Sequence, residues 1–284
     1  MDEALAARVE KLLGIRPVQA RRLHGGCLAE VLQLELHDGS TVVAKWGGEA
    51  DLPLEARMLE DLRKADVPTP AVLAVEPGLL LLQHVPHDAA GAPGTLAQRH
   101  AAEILARLHA VTGSAFGYHA DVRLGPLVLP SPWTDSWVHF FRDHRLLPMA
   151  AEASAAGELP AAIEHRIERL AGRLDGLIDE PAHPSLIHGD LWTGNLLTRG
   201  DRVVALIDPA VHYAHPESEL AMTTLFGTFG RAFFEHYAEL VPLAPDFARR
   251  RRDLYNLVPL LVHLRLFGRS YLPSIERTLV QLGF

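Results

Sequence analysis

The sequence contains a single cysteine, Cys27, so an intrachain disulfide is excluded and nothing indicates an oxidising compartment. It lacks any apolar run near the ~20 residues that a membrane-spanning helix needs. It has no basic excess, because 27 Lys and Arg against 35 Asp and Glu give a formal net charge of −8. That balance argues against a nucleic-acid-binding protein. The start, MDEALAARVEKLLG, is charged and helical in pattern rather than secretory, so we expect a cytoplasmic protein without membrane or nucleic-acid partners.

The bulk composition is that of an ordinary soluble globular protein, with 284 residues, of which 48% are hydrophobic and 22% charged. This length suffices for one large or two small domains. The sixteen histidines are scattered and lack the spacing of a recognised zinc site such as H-E-x-x-H. No pattern in the sequence indicates an oligomeric state, which stays open.

The stretch that can carry chemistry is His188–Asp208, HGDLWTGNLLTRGDRVVALID. Within it, Asp190 and Asn195 stand five positions apart, the spacing of the H-x-D-x-x-x-x-N catalytic loop of kinases. Asp208 ends the apolar run Val203–Ile207, which predicts a short strand. In the kinase pattern, a metal-binding Asp follows the catalytic loop at a comparable place. Any one of Asp190, Asn195 and Asp208 could belong to an ordinary turn or cap a strand. The three together, at this spacing, fit the kinase pattern better than such a turn.

The residue types suit phosphoryl transfer from a nucleotide to a hydroxyl group. Such a reaction needs a carboxylate that orients the hydroxyl and takes its proton, and magnesium on the phosphate oxygens. We therefore predict Asp190 as the base and Asn195 and Asp208 as Mg²⁺ ligands, because magnesium prefers hard oxygen donors. His188 is predicted to support the loop through its ring rather than to contact substrate.

The N-terminal part has the order strand, Gly-rich turn, strand, hairpin, strand ending in lysine, which is typical of a kinase small lobe. Gly25 and Gly26 form the turn, where backbone N–H groups can approach phosphates without a Cβ in the way. Lys45 ends the apolar strand VVAK and is predicted to reach the α- and β-phosphates. The predicted strands are Gln19–Leu23, Leu28–Leu36 and Thr41–Trp46.

A helix is predicted over Pro53–Lys64, with proline early, where it is tolerated. Glu55 lies in its first turns and is the predicted partner of Lys45. Glu60 and Asp61 are alternative partners that the sequence leaves open.

A composition shift predicts a domain boundary. Two further strands, Val72–Val75 and Leu79–Gln83, lead into the polar, Gly- and Pro-rich stretch His87–Gly94. We expect residues 1–86 to form a nucleotide-binding lobe and residues 87–284 a mainly helical catalytic and substrate lobe. In a kinase this crossing contacts adenine, so Gln83 and Val85 are candidate nucleotide contacts, although an ordinary linker explains the stretch equally well.

Helical patterns dominate after Thr95, the predicted N-cap of a helix over Ala97–Val111. Residues 113–132 are predicted to be a loop. The helix predicted over 133–147 carries aromatic side chains that favour a core face over a pocket lining, namely Trp133, Trp137, Phe140 and Phe141. Further helices are expected at 160–177, 217–226, 230–240, 245–266 and 273–282. His212 and His215 follow Asp208 closely and are candidates for the border of the site.

HGDLWTGN, with IDPAVHYAHPESELAM after it, resembles the fructosamine kinase (ketosamine kinase) family, which is related to the aminoglycoside phosphotransferases. GGCLAEVLQLEL resembles the family's phosphate loop, and AKW with LEARMLEDL its Lys and Glu pair. WTDSWVHFFRDHRLLP and HLRLFGRSYL resemble its large-lobe segments, so the likeness covers nearly the whole chain. The tryptophan after HGDL is the sharpest discriminator from related small-molecule kinases.

The resemblance implies an α+β, two-lobe protein-kinase-like fold, with a small antiparallel sheet lobe and a larger helical lobe. It implies ATP and Mg²⁺ as cofactors and phosphorylation of the 3-hydroxyl of a small-molecule or protein-bound ketosamine, serving deglycation repair. The family roles carry over to Asp190 as base, to Asn195 and Asp208 as metal ligands, and to Lys45 with Glu55 at the phosphates. Trp192 would lie near the sugar or pack under the loop.

The departures from the family pattern are small. Thr193 stands where glycine is usual, and Asp208 is followed by Pro209 rather than by Phe-Gly as in protein kinases. Two alternatives stay open from the sequence. One is a kinase for another small hydroxyl substrate, such as an aminoglycoside, choline or a sugar, and the other is a nucleotide-binding module without catalysis.

Overall fold

An antiparallel five-stranded sheet forms the N-terminal lobe of this computed structural model, which describes residues 2–23, 29–47, 51–89 and 91–284. The spatial order of its strands is β1-β2-β3-β5-β4. The elements of this lobe are α1 (Glu3–Leu13), β1 (Pro17–Arg22), β2 (Glu30–Leu36), β3 (Thr41–Trp46), α2 (Leu52–Lys64), β4 (Val72–Glu76) and β5 (Leu79–Gln83). The predicted strands and helices of this region are present, with ends displaced by one or two residues.

Strand β5 is apolar on both faces because a helix covers each face of the sheet. Leu79 and Leu81 pack into a cluster with Leu5 and Val9 of α1. Leu80 and Leu82, which point the other way in a strand, pack with α2 in a separate cluster. The alternation explains why the sequence LLLL is compatible with an antiparallel sheet, whose outer face is often polar.

Helix α2 begins where the sequence predicts. The Asp51 side chain accepts a hydrogen bond from the Leu54 backbone N–H at 3.1 Å and so satisfies one of the free N–H groups of the first turn. Pro53 lies within that first turn. The apolar face of α2 packs on β5, and this packing directs Glu55 toward β3.

The C-terminal lobe is mainly helical and shares one large apolar core. Its elements are α3 (Thr95–His109), β6 (Val122–Leu124), β7 (Leu127–Leu129), α4 (Trp137–Phe141), α5 (Leu147–Ala155), α6 (Ala161–Ala171), β8 (Ser185–Ile187), β9 (Leu196–Arg199), β10 (Arg202–Leu206), β11 (His212–Ala214), α7 (Pro216–Leu225), α8 (Arg231–Leu240), α9 (Arg252–Tyr255), α10 (Leu257–Phe267) and α11 (Leu272–Gln281). In the part of the chain that the structure describes, no helix combines the length and apolarity needed to span a membrane.

Some sequence predictions for this lobe are wrong. The predicted loop 113–132 contains the hairpin β6–β7, whose short strands lie below the length that periodicity resolves. The helix predicted over 245–266 is divided into a π-helical turn at Phe247–Arg251, then α9 and α10. Thr95 is the first helical residue rather than the cap, a position that Gly94 occupies. Trp133 precedes α4 and is 54% exposed, whereas Trp137, Phe140 and Phe141 are buried.

Two pairs of short strands hold the chemistry-bearing segment. Strand β8 pairs with β11, and β9 pairs antiparallel with β10. HGD follows β8, a 3-10 turn over Thr193–Asn195 leads into β9, and Asp208 comes shortly after β10. The Leu206 N–H donates to the Pro68 carbonyl at 2.8 Å, which ties β10 to the segment that leaves α2. These connections place the HGD loop and Asp208 beneath the sheet lobe.

Candidate active site

A cleft lies between the sheet lobe and the helical lobe, and its empty space, including the part open to solvent, is about 990 Å³. Lys45 and Glu55 line it from above, and Asp190, Asn195 and Asp208 line it from below. Residues that are far apart in sequence therefore meet in one cavity, as the motif pattern predicts. Trp192 also lines the cleft.

Lys45 joins the two lobes electrostatically. Its Nζ contacts Glu55 Oε1 on α2 and Asp208 Oδ1 on the helical lobe, and its side chain is only 10% exposed. Burial lowers the pKa of Lys45, but the two carboxylates outweigh burial and raise the pKa overall. Burial raises the pKa of Glu55, and the Lys45 charge opposes that shift. Lys45 is thus a fixed cation in the cleft.

Neither alternative partner on α2 is among the contacts of Lys45. Glu60 is exposed on α2. Asp61 accepts hydrogen bonds from Tyr118 Oη at 2.7 Å and Lys64 Nζ at 2.9 Å. Glu55 is the carboxylate of this helix that contacts Lys45.

Asp208 adopts a backbone conformation that aims its side chain into the cleft. Its φ is +54°, in the left-handed region that non-glycine residues seldom occupy. Such a conformation persists where its surroundings enforce it. Here the preceding residue, Ile207, donates its N–H to the Asn195 carbonyl at 3.1 Å and accepts from His188 Nε2 at 3.0 Å. His188 is buried, and its ring contacts the loop backbone rather than the cleft. Burial lowers the pKa of this histidine.

Asn195 is oriented by Asp190. Its Nδ2 donates to the Asp190 carbonyl oxygen at 2.8 Å and to Asp190 Oδ2 at 3.0 Å. This engagement of the amide nitrogen leaves Oδ1 as the free end of the side chain. The pKa of Asp190 is raised to about 7, first by burial and second by the charge of Asp208, while the Asn195 hydrogen bond opposes the shift.

The donor set fits a magnesium ion bound together with phosphates. Asn195 Oδ1 and Asp208 Oδ2 are hard oxygens on the lower wall of the cleft. Among the residues described, no cluster of three or more His, Cys, Asp or Glu side chains could hold a metal ion alone. Magnesium is commonly held by one or two protein oxygens, with water and substrate phosphates completing its coordination. The arrangement is therefore compatible with a nucleotide-bound ion rather than with a closed protein cage.

A buried network behind the loop was missed by sequence reasoning. Glu219 of α7 accepts the Gly189 N–H through Oε1 at 2.8 Å, and its Oε2 lies 2.9 Å from His109 Nε2. His109 Nδ1 in turn lies 2.7 Å from Tyr237 Oη. These groups connect the loop to α3, α7 and α8. The sequence shows two acidic residues, Glu217 and Glu219, at the start of the helix predicted over 217–226. Acidic residues at this position are equally typical of an exposed first turn, so the buried network could not be inferred from them.

A second cavity, the apolar pocket, adjoins the cleft at Asp190 and Trp192. It encloses about 1120 Å³ including its open mouth. Its walls are mostly apolar, with Leu129, Trp137, Phe141, Tyr255, Val258 and Val262 among them. Trp137 and Phe141 therefore serve both as core and as pocket wall. Trp192 is 41% exposed and packs its ring over Gly194, so it contacts the loop and also faces both cavities.

The remaining predicted residues are placed as follows. Gly25, Gly26 and Cys27 lie outside the described residues. Gln83 ends β5 with an exposed side chain, and the Val85 carbonyl accepts from His87 Nδ1 at 2.8 Å. Neither Gln83 nor Val85 belongs to the described lining of the cleft, so a contact with adenine stays a prediction.

His212 and His215 are buried beside the site. His212 lines the apolar pocket, whereas His215 is the N-cap of α7, and its Nδ1 accepts the Glu217 N–H at 3.1 Å. Burial first, and then the nearby Arg145 or Arg251 charge, lowers the pKa of each histidine to about 3. Both imidazoles are therefore neutral in the folded protein near neutral pH.

Because of these two histidines, the free energy of unfolding should decrease as the pH falls below about 6.5. Between pH 6.5 and about 3, the unfolded chain protonates them and the folded chain does not. Each contributes up to about 1.4 kcal/mol per pH unit to this loss. Urea unfolding of His215→Asn, which keeps a helix-capping side chain, should show a shallower decrease of the unfolding free energy with falling pH. A slope identical to that of the wild type would contradict the assignment.

Comparison with known proteins extends these observations. The profile of the family described as fructosamine kinase matches residues 1–282. A probable ketoamine kinase of Synechocystis sp. is 41% identical over 183 residues, which are 62% of this chain and 59% of that protein. A probable ketoamine kinase of Lactiplantibacillus plantarum is 35% identical over 223 residues, 75% of each chain. A chloroplastic protein-ribulosamine 3-kinase of Oryza sativa is 34% identical over 175 residues, 60% of this chain and 50% of that protein.

Solved structures agree with this relationship. A crystal structure from Thermobifida fusca, assigned to the fructosamine-3-kinases, has a TM-score of 0.89 at 31% identity and covers 99% of both chains. An aminoglycoside phosphotransferase at 15% identity has a TM-score of 0.72 over 99% of each chain, which shows a shared fold alone. The predicted α+β kinase-like fold is confirmed. The protein whose cleft joins Lys45, Glu55 and Asp208 to the HGD loop belongs to the fructosamine kinase family.

Proposed function

We propose that the protein transfers the γ-phosphoryl group of ATP to the 3-hydroxyl of a ketosamine, the sugar adduct of an amine. The observation that carries this proposal is the convergence of one buried cation, Lys45, with Asp208 and the Asp190–Asn195 pair in a single cleft. The ketoamine kinase and protein-ribulosamine 3-kinase relatives support the same acceptor. Because the 3-phosphorylated adduct is unstable and sheds its sugar, the role would be deglycation repair in the cytoplasm.

Lys45 is suited to hold nucleotide phosphates. Its positive charge persists because Glu55 and Asp208 both contact it, and Glu55 also fixes its position relative to α2. The division into a nucleotide-binding lobe, residues 1–86, and a catalytic lobe, residues 87–284, is part of this proposal. So are phosphate contacts from Gly25 and Gly26 and adenine contacts from Gln83 and Val85.

Asp190 is the proposed base. Its raised pKa, about 7, makes the carboxylate more basic than an ordinary Asp while leaving it largely ionised above neutral pH. It would orient the acceptor hydroxyl and take its proton at a carboxylate oxygen. Asn195 and Asp208 would hold Mg²⁺, which neutralises charge on the phosphate oxygens when bound.

The acceptor would enter from the apolar pocket, which meets the cleft at Asp190. The lining of this pocket includes only two carboxylates among the described residues, Asp190 and Glu219. A polycationic aminoglycoside would require more negative charge than that. This observation favours a ketosamine over the alternative of an aminoglycoside.

The test is ATP consumption by the purified protein against a panel of acceptors. The panel contains ketosamines of several amines with fructose or ribulose as the sugar, and kanamycin and choline as competing classes. We expect turnover with ketosamines alone, with phosphate found on the 3-hydroxyl by NMR. Turnover with only kanamycin or choline would reject the acceptor but retain the kinase chemistry. Nucleotide binding without turnover of any acceptor would favour a non-catalytic module.

A further inference from the structure

The apolar pocket is lined by Asp190 but not by Lys45, whereas the cleft is lined by both, so the pocket can take a part of the substrate that the nucleotide does not reach. If Asp190 holds the 3-hydroxyl and the nucleotide fills the cleft, the rest of the acceptor must extend away from Lys45. In a ketosamine, the amine nitrogen is separated from C3 by only three bonds. The amine substituent therefore begins beside Asp190 and can continue directly into this pocket.

The charged side chains that line the pocket are already engaged. In the described residues they are Arg145, Asp190 and Glu219. Glu219 is bonded to the Gly189 N–H and faces His109, and Asp190 accepts from Asn195. Glu219 is therefore held by the protein, and Asp190 is occupied by Asn195 and by the acceptor hydroxyl in the proposed complex.

Arg145 is committed to the protein itself. Its Nη1 donates to the carbonyls of Pro130 and His144, each at 2.7 Å, and its Nη2 to Ser131 Oγ at 3.0 Å. Its guanidinium carbon also lies 4.5 Å from the centre of the Phe140 ring. These contacts explain the buried arginine without an anionic ligand.

Trp192, His263 and Phe267 line the pocket, and Phe226 packs between Trp192 and His263; we call these four side chains the aromatic rim. Ring centroids are 6.4 Å apart for Trp192 and Phe226, 4.6 Å for Phe226 and His263, and 5.3 Å for His263 and Phe267. Phe267 is 59% and Trp192 41% exposed. Partly exposed aromatic side chains that adjoin a cavity form an apolar surface of the kind that marks binding sites.

We infer that the pocket and its aromatic rim select ketosamines whose amine substituent is apolar and uncharged, such as those of alkylamines and arylalkylamines. This inference rests on the proposed function. The polyol part of the sugar needs hydrogen-bonding partners and suits the polar side of Asp190, whereas an apolar substituent loses little on leaving water. A terminal ammonium or carboxylate entering the same pocket would lose its hydration without gaining a partner.

The sharpest test compares two substrates with the same sugar and the same six-carbon chain. One is the fructose adduct of hexylamine, and the other is fructose attached to the side-chain nitrogen of lysine, which ends in an ammonium and a carboxylate. We expect kcat/KM to be at least about tenfold higher for the hexylamine adduct. An equal or higher kcat/KM for the lysine adduct would overturn the inference while leaving the proposed function intact. Turnover of neither adduct, with fructose or with ribulose as the sugar, would overturn both.

A charge placed on the aromatic rim supplies a second, independent readout. Phe267→Glu puts a carboxylate where it can pair with the terminal ammonium of the mono-fructose adduct of 1,6-diaminohexane, so the ratio of kcat/KM between the hexylamine adduct and this diamine adduct should fall at least about twofold. The matched control is Val280→Glu on α11, which makes the same change at a 67% exposed apolar residue outside the pocket lining. That control should keep the wild-type ratio. Equal ratios in the two variants would show that the substituent does not reach the rim and would reject the assignment.

Discussion

Asp190→Asn is expected to lower kcat by about 10²- to 10⁴-fold, because a positioned base typically contributes that much to a proton transfer. Nucleotide affinity should change little, since Lys45 contacts Glu55 and Asp208 rather than Asp190. The new amide oxygen can still accept from Asn195 Nδ2. The measurements are steady-state turnover of a ketosamine and titration calorimetry with a non-hydrolysable ATP analogue.

Folding of this variant provides its own control. Burial and the Asp208 charge both disfavour an ionised Asp190, so removing the charge should leave the protein at least as stable as the wild type. Asp201→Asn, at an exposed aspartate in the turn between β9 and β10, makes the same substitution away from the cleft and should retain full activity. A stable Asp190→Asn enzyme with near wild-type turnover would remove Asp190 from the mechanism.

Gly189→Ala should damage both the loop and the fold. Gly189 has φ +83°, and a Cβ at this position would lie 2.1 Å from the Ala210 carbonyl oxygen. Backbone rather than a flexible side chain is the obstacle, so the loop must move and weaken the bond from the Gly189 N–H to Glu219. We expect a loss of about 2–4 kcal/mol in unfolding free energy and a large loss of turnover. Chemical denaturation and kinetics measure the two effects.

A matched glycine separates the clash from backbone strain. Gly200 has φ +57°, but nothing lies within 4 Å of a Cβ built there. Gly200→Ala should therefore show only the strain of a left-handed residue, about 1–2 kcal/mol, and should keep its activity. If Gly189→Ala and Gly200→Ala cost the same, the close approach of Ala210 would be unimportant.

Local patterns predicted much of the sheet lobe. An apolar strand ending in Lys45 and a helix with Pro53 in its first turn are short-range signals, and both elements form within one or two residues of the predicted ends. The spacing of Asp190, Asn195 and Asp208 likewise identified residues that meet in the cleft. These predictions succeeded because strand alternation, helix capping and motif spacing depend on neighbours in the chain.

Other features were out of reach of local patterns. The sequence predicts Glu55 as the partner of Lys45 but leaves Glu60 and Asp61 open, because tertiary packing decides which face α2 turns toward β3. The π-helical turn at Phe247–Arg251 interrupts a stretch with an unbroken helical pattern. The hairpin β6–β7 is too short to show periodicity, yet Leu124 and Gly125 from this hairpin line both cavities.

The α+β kinase-like fold, the family pattern and the presence of groups suited to phosphoryl transfer all follow from local sequence patterns. How those groups are held depends on the packing of distant segments. Glu219, His109 and Tyr237 are more than a hundred positions apart at their extremes, and they become one hydrogen-bonded network because three helices pack behind the HGD loop. The apolar pocket arises in the same way, from walls contributed by distant segments, since an enclosed volume is a property of packed surfaces and leaves no pattern along the chain.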